Sequence, residues 1–139
     1  MIYYFLKNFN NWFFIDILLC SKREVEKFSD LSNEEIFDYS LTLQDLVKRI
    51  ELYREANSCN ISIQDGENCG QKINHFHVHI IPRYQGDFEN NNDIYDKIKS
   101  FDDEFIKQFQ DFMSDDKKKN ELKAEVENIK NFMNKLYLY

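Results

Sequence analysis

The chain is poor in several things, and each lack removes a class of protein. It has no surplus of positive charge: 18 lysines and arginines stand against 25 acidic residues, for a net charge of −7. A non-specific nucleic-acid binder needs a basic face, so this balance argues against nucleic acid as a partner. It leaves room for a small anionic ligand, because a local site can oppose the global sign. The three cysteines, Cys20, Cys59 and Cys69, are odd in number and lack metal-like spacing. They read as reduced thiols of a cytoplasmic protein. No apolar run is long and clean enough to span a membrane. The N-terminus, MIYYFLKNFNNWFFIDILLC, is broken by Lys7, Asn8, Asn10, Asn11 and Asp16. It also lacks the basic–apolar–small layout of a signal peptide. No internal repeat and no interdomain linker is visible. What remains is a 139-residue chain, 42% hydrophobic and 16% aromatic, which is enough for one domain with a packed core.

The pattern of elements is mixed. Residues 12–20, WFFIDILLC, read as a buried strand or two short pieces of one. Ser32 and Glu35 then form a capping box, with Leu31 and Ile36 as the matching hydrophobic staple, so a helix should start there. Ile36, Leu43, Val47, Ile50 and Tyr53 follow helical spacing to about residue 56. CNISIQ, residues 59–64, alternates with Ile61 and Ile63 on one face, as a half-buried strand does. DGENCG, residues 65–70, is a turn, and the connection 65–74 is short enough to make the flanking strands antiparallel neighbours. Residues 93–100 suggest a short helix. Leu122, Val126, Ile129, Met133 and Leu136 form the stripe of a final one. The expectation is an α+β fold: an antiparallel sheet with a long helix and a C-terminal helix packed on it.

All three histidines of the chain lie in HFHVHIIPR, residues 75–83. In an extended strand, alternate side chains share a face. His75, His77 and His79 then face one way, about 6–7 Å apart at a rise of about 3.3 Å per residue. Phe76, Val78 and Ile80 face the other way and pack. Three readings of the imidazole face compete. One is structural, histidines on a half-exposed face satisfied by water or backbone. That explains a single histidine better than a cluster. The second is metal, bound through two ring nitrogens with Asp65, Glu67 or Asp87 completing an open site. The third is nucleophilic catalysis on phosphorus, in which an imidazole attacks and a covalent intermediate forms. The central ring must then be neutral and held in one tautomer, while its neighbours orient it and hand a proton to the leaving oxygen. Gln71 and Gln64 offer uncharged donors for non-bridging oxygens.

The stretch QDGENCGQKINHFHVHIIPRYQGDFENNNDIY, residues 64–95, resembles the histidine triad (HIT) family, whose signature is His-φ-His-φ-His-φ-φ with φ apolar. His75 to Ile81 fits it at every position. Gln64-Asp65-Gly66, Gly70-Gln71, Pro82-Arg83 and Gly86-Asp87-Phe88 resemble the fragile-histidine-triad branch, the dinucleoside triphosphate hydrolases. The likeness runs without gaps from about Ile17 onward, through REVEKFSDLSNEE, and His79 sets it apart from the transferase branch, which has glutamine there. The resemblance implies hydrolysis of a dinucleoside polyphosphate such as diadenosine triphosphate to AMP and ADP, through a covalent histidine–nucleotide intermediate. Within the family, a nucleoside phosphoramidase or a non-catalytic nucleotide-binding and signalling protein are the competing readings. It implies His77 as nucleophile, His79 as proton donor to the leaving group and His75 as the residue orienting the active imidazole. Gln71 is implied as a phosphate contact and Gln64 as a ribose and phosphate contact. It further implies a homodimer, and a divalent cation (Mg2+ or Mn2+) carried on the substrate rather than in a protein cage. Tyr95 falls on a loop tyrosine of the branch and reads more simply as a loop aromatic.

The front of the chain departs from the branch. Phe14-Ile15-Asp16 stands where a Pro-Gly-His stretch is expected, so the family's additional histidine is replaced by Asp16. The domain assignment is therefore 1–16 as a divergent N-terminal segment and 17–139 as the HIT-like domain, with the first strands of the sheet expected to be missing. Loss of part of a purine pocket removes remote binding energy, so weaker hydrolysis than in relatives is expected.

Overall fold

Ser32 starts a long helix, as its capping box requires. The computed structural model describes residues 3–8, 15–98, 127 and 131. Helix α1 runs Asn33–Arg54. The Ser32 hydroxyl accepts the Glu35 amide at 3.3 Å, and the Glu35 carboxylate accepts the Ser32 amide at 2.8 Å, which satisfies two of the orphan donors of the first turn. Glu34 and Glu35 sit at the positive end of the helix and Arg54 at the negative end. The helix stops where Glu55 turns left-handed at φ 53. The Ala56 amide then closes on the Glu51 carbonyl at 2.9 Å, and the Tyr84 hydroxyl donates to the Arg54 carbonyl at 2.9 Å.

Among the described residues four strands form one antiparallel sheet: β1 (Tyr3–Asn8), β2 (Ile15–Cys20), β3 (Ser58–Ser62) and β4 (His77–Arg83), in the order β1-β2-β4-β3. Residues 3–8 belong to the segment expected to diverge, and they pair with β2 from Tyr3↔Cys20 to Asn8↔Ile15. β3 and β4 are antiparallel neighbours across the 63–76 connection. The histidine-bearing strand thus lies inside the sheet, hydrogen-bonded on both sides.

One face of the sheet carries the main core. Ile17 and Leu19 of β2, Val78 and Ile80 of β4, and Phe76 meet Tyr39, Leu46 and Ile50 of α1, with Val25 and Leu31 closing the end. Ile36, Leu43 and Val47 pack at its margin, so the stripe expected from the sequence marks the right face. Tyr39 and Leu46 extend it at the same 3–4 residue spacing. The Tyr39 hydroxyl donates to the Leu19 carbonyl, which lets a phenol sit in the core; burial pushes its ionisation well above the ordinary range. On the opposite face Ile81 packs with Ile94 and Ile98, carried by a short helix over 93–98. The expected C-terminal helix lies outside the described residues, apart from Glu127 and Asn131, which are helical and exposed. Among the described residues no helix is long and apolar enough to cross a membrane.

The cap gives a stability prediction. Ser32→Ala should cost about 1 kcal/mol, read by urea unfolding. Glu35 adds a pH signature. The Arg23 guanidinium at 2.7 Å and the Ser32 amide hold its carboxyl at about 2, against an ordinary 4.5. A depressed carboxylate stabilises the fold above its unfolded value and loses that contribution as pH falls through its folded one. The stability difference between wild type and Glu35→Gln should be constant above pH 5 or so, vanish toward pH 2, and shrink with salt because the pair is exposed.

Candidate active site

Alternation along β4 puts His77, His79 and Ile81 on the face opposite the main core. The pairing sets them in rows: Cys20 beside His77, and Leu18 and Ser62 on either side of His79. Asp16, two residues before Leu18, shares that face. His77 is 2% exposed and His79 is fully buried. The two rings stand edge to face with centroids 5.1 Å apart. His75 does not belong to this row. The strand begins at His77, and His75 lies in the bend before it, half-buried, with its backbone amide bonded to the Ile73 carbonyl at 2.7 Å. The expectation of three imidazoles along one strand face therefore holds for two. The third rings back across the sheet, where its Nε2 meets the Ser21 carbonyl at 2.8 Å.

The hydrogen bonds assign the protons. A carbonyl oxygen only accepts, so Nε2 of His75 carries the hydrogen that reaches Ser21. The Nδ1 of His77 lies 2.7 Å from the His75 carbonyl and must donate to it. A neutral ring has one N–H and one lone pair, so His77 presents the lone pair on Nε2. The Nδ1 of His79 lies 2.9 Å from Oδ2 of Asp16, a carboxylate oxygen, and donates likewise. His75 thus acts on His77 through its backbone carbonyl, while its ring fastens the strand entrance to the end of β2. Two further bonds hold that entrance, Ser21 amide to Phe76 carbonyl at 3.2 Å and Phe76 amide to Val25 carbonyl at 2.6 Å.

The loop ahead of β4 is built around its glutamines. Gln71 is buried, and its amide is spent on the loop. Oε1 accepts the Gly66 amide at 2.6 Å, and Nε2 donates to the carbonyls of Glu26 at 3.0 Å and Ile73 at 2.9 Å. Read from the resemblance as a phosphate contact, it serves in this structure to shape the turn, with both amide hydrogens on backbone carbonyls. Gln64 is different. It lies two residues past Ser62, the partner of His79, and its Oε1 is buried without a hydrogen bond. Gly70, at φ 94, leaves room for it: a Cβ there would stand 3.0 Å from the Gln64 amide nitrogen.

The carboxylates weighed for a metal site are placed elsewhere. Asp65 accepts the Phe28 amide at 2.8 Å. Asp87 takes a two-pronged bond from Arg83 at 2.6 and 2.9 Å, which holds its carboxyl below the usual range. Glu67 opens the short turn 67–69. Among the described residues no three His, Cys, Asp or Glu side chains are grouped to hold a metal ion. An open cavity of about 670 Å³ lies between residues 57–60 and 83–91, away from the histidines. Its Cys59 thiol is pushed up to about 12 by burial and by Glu51, so it carries no thiolate near neutral pH.

The HIT domain family matches residues 8–86. The chain belongs to this family. Two HIT-type relatives place the likeness more closely. The bifunctional bis(5'-adenosyl)-triphosphatase/adenylylsulfatase FHIT of Arabidopsis thaliana is 43% identical over 59% of this chain and 46% of its own. The bis(5'-adenosyl)-triphosphatase of Dictyostelium discoideum is 42% identical over 60% of this chain and 56% of its own. The chain therefore spans about half the length of these relatives. Among solved structures, the Plasmodium falciparum diadenosine triphosphate hydrolase, in complex with cyclomarin A, superposes with a TM-score of 0.51 at 32% identity, over 64% of this chain and 63% of that one.

Asp16 is the member of the face to which sequence reasoning gave no role. The signal was there: a lone acid inside the apolar run WFFIDILLC, on a strand bound to be buried, needs a partner. The loop geometry makes a separate prediction for Gln71. Gln71→Ala strands one buried amide and two carbonyls and should lower stability by about 2–3 kcal/mol, read as a shift of the urea midpoint. A glutamine that mainly touched phosphate would instead raise KM and leave the midpoint in place.

Proposed function

We propose that the protein is a nucleotidyl hydrolase that cleaves dinucleoside polyphosphates, such as diadenosine triphosphate to AMP and ADP, through a nucleotide bound covalently to His77. The observation that carries it is the bond from His77 Nδ1 to the His75 carbonyl. It holds one ring, in one tautomer, with its Nε2 lone pair on the face shared with a second imidazole. The names of the relatives, two bis(5'-adenosyl)-triphosphatases and a diadenosine triphosphate hydrolase, support the substrate class.

In the first step the Nε2 lone pair of His77 forms a bond to the α-phosphorus. The bond from phosphorus to the bridging oxygen breaks, its electron pair goes to that oxygen, and His79 Nε2 supplies the proton. In the second step water bonds to phosphorus and gives a proton to His79, and the electrons of the N–P bond return to His77. His75 orients the nucleophile through its carbonyl. Gln64 offers its unsatisfied Oε1 to a ribose hydroxyl and its amide hydrogens to a phosphate oxygen. Gln71 holds the loop that carries them. A divalent cation, Mg2+ or Mn2+, arrives on the polyphosphate, where it offsets charge on the phosphates.

The same reading includes a homodimer. Phe37, Leu41 and Leu52 are exposed on α1, and Ile61 and Ile63 are exposed at β3, an outer strand of the sheet. The three helix residues fall within about 60° of one another at 100° per residue. Among the described residues no strand pairs the outer side of β3, and an exposed apolar stripe together with an outer strand is what a second copy covers. A cytoplasmic location suits the three cysteines, which no disulfide joins.

The test is turnover of diadenosine triphosphate with Mg2+ by the wild type beside His77→Asn. The wild type should release AMP and ADP, and the variant should fall by a factor of about 10⁴ or more. Tight nucleotide binding without turnover in the wild type would replace this reading with the nucleotide-binding one. Leu41→Asp should shift a dimer toward monomer in light scattering.

A further inference from the structure

We propose that Asp16 is the positioning residue of the acid–base histidine: its buried carboxylate keeps the His79 proton on Nδ1 and carries the negative charge that complements a second proton on Nε2. The inference rests on the proposed function and adds to it the group that makes His79 a donor. Three observations carry it.

The first is geometry. Asp16 Oδ2 and His79 Nδ1 are 2.9 Å apart, with side chains 1% and 0% exposed. Both stand on the sheet face that holds His77, on neighbouring strands β2 and β4. With Nδ1 turned to the carboxylate, Nε2 is the only atom of the ring that can exchange protons with a substrate.

The second is the state of the carboxylate itself. Its other oxygen, Oδ1, is buried with no hydrogen bond. A buried carboxylate with one bond is costly, and asparagine at this position would accept the same Nδ1–H bond with no charge to desolvate. What the acid supplies and the amide does not is the charge.

The third is what the reaction asks of His79. It must begin the first step with protons on both nitrogens and end it neutral, having given the Nε2 proton to the leaving atom. It must then take a proton from water. Beside Asp16 the pair is a neutral ion pair before the transfer and carries one negative charge after it. The carboxylate stays in place and never takes the proton itself, the division of labour seen in serine hydrolase triads.

This predicts a defect that depends on the leaving group. The experiment compares wild type, Asp16→Asn, His79→Asn and the double variant on two AMP derivatives. Adenosine 5'-phosphoramidate loses an amine, which must be protonated. The p-nitrophenyl ester of AMP loses a stable anion, which need not be. Asp16→Asn should lower kcat on the phosphoramidate by about 100-fold, within the usual worth of a general acid. KM should stay within a small factor, and kcat on the ester should change by less than about 3-fold. On the phosphoramidate the double variant should be no slower than His79→Asn alone. A uniform loss on both substrates, or no loss, overturns the role of Asp16 while leaving the hydrolase reading intact. A wild type inactive on both substrates and on diadenosine triphosphate overturns the hydrolase reading and this inference with it. Long-range 1H–15N spectra of the wild type give an answer without the variant: His79 should show its proton on Nδ1, and an Nε2–H tautomer with a bare Nδ1 contradicts the proposal.

Discussion

The hydrogen bond from His77 Nδ1 to the His75 carbonyl decides which nitrogen of that ring keeps its lone pair, and much of the fold serves to hold it. The carbonyl is in place because His75 sits in a bend, outside the strand, with its own ring pinned to Ser21. The ring of His77 is in place because β4 is an inner strand, paired with β2 and β3. A one-residue slip in either ladder would turn His77 and His79 into the core and bring Val78 out. The core prevents it. Val78 and Ile80 are fully buried against α1, and that burial is worth several kcal/mol on the usual scale of about 1.5–3 kcal/mol per large aliphatic side chain.

The supporting shell divides its tasks cleanly. Gln71 spends its amide on backbone and fixes the turn, which sets the direction from which the chain enters β4. Gln64 and Asp16 each keep a buried side-chain oxygen without a hydrogen bond. Buried acceptors without partners are uncommon and costly, and Asp16 is bonded through its other oxygen to His79. For Asp16 the charge it holds beside His79 Nδ1 accounts for the cost.

The parts of the fold that follow local rules were legible in the sequence. Ser32 and Glu35 announced the helix start to the residue, because a capping box lies within four consecutive residues. His77 and His79 were legible as a pair because strand alternation is rigid. The position of His75 was not, because the alternation says nothing of where a strand begins, and His75 lies outside it and reaches His77 through its carbonyl. Gln71 could be placed near the site by its spacing, yet its hydrogen bonds to Glu26 and Gly66 depend on how two distant segments meet. Asp16 could be seen as an acid in a buried run. That its partner is His79 depends on which strands are neighbours, and β2 and β4 are 60 or so residues apart in the chain. Residues 3–8 were set aside as divergent, but they complete the outer side of β2, since an extended run needs only backbone groups to join a sheet.

The most direct measurement is the site of the covalent nucleotide. Enzyme mixed with diadenosine triphosphate is quenched in base within milliseconds, where a phosphoramidate linkage to histidine survives, then digested and examined by mass spectrometry and by 31P–1H correlation. The account predicts AMP on Nε2 of His77. AMP on Nδ1, on His79 or on no residue during active turnover would contradict it.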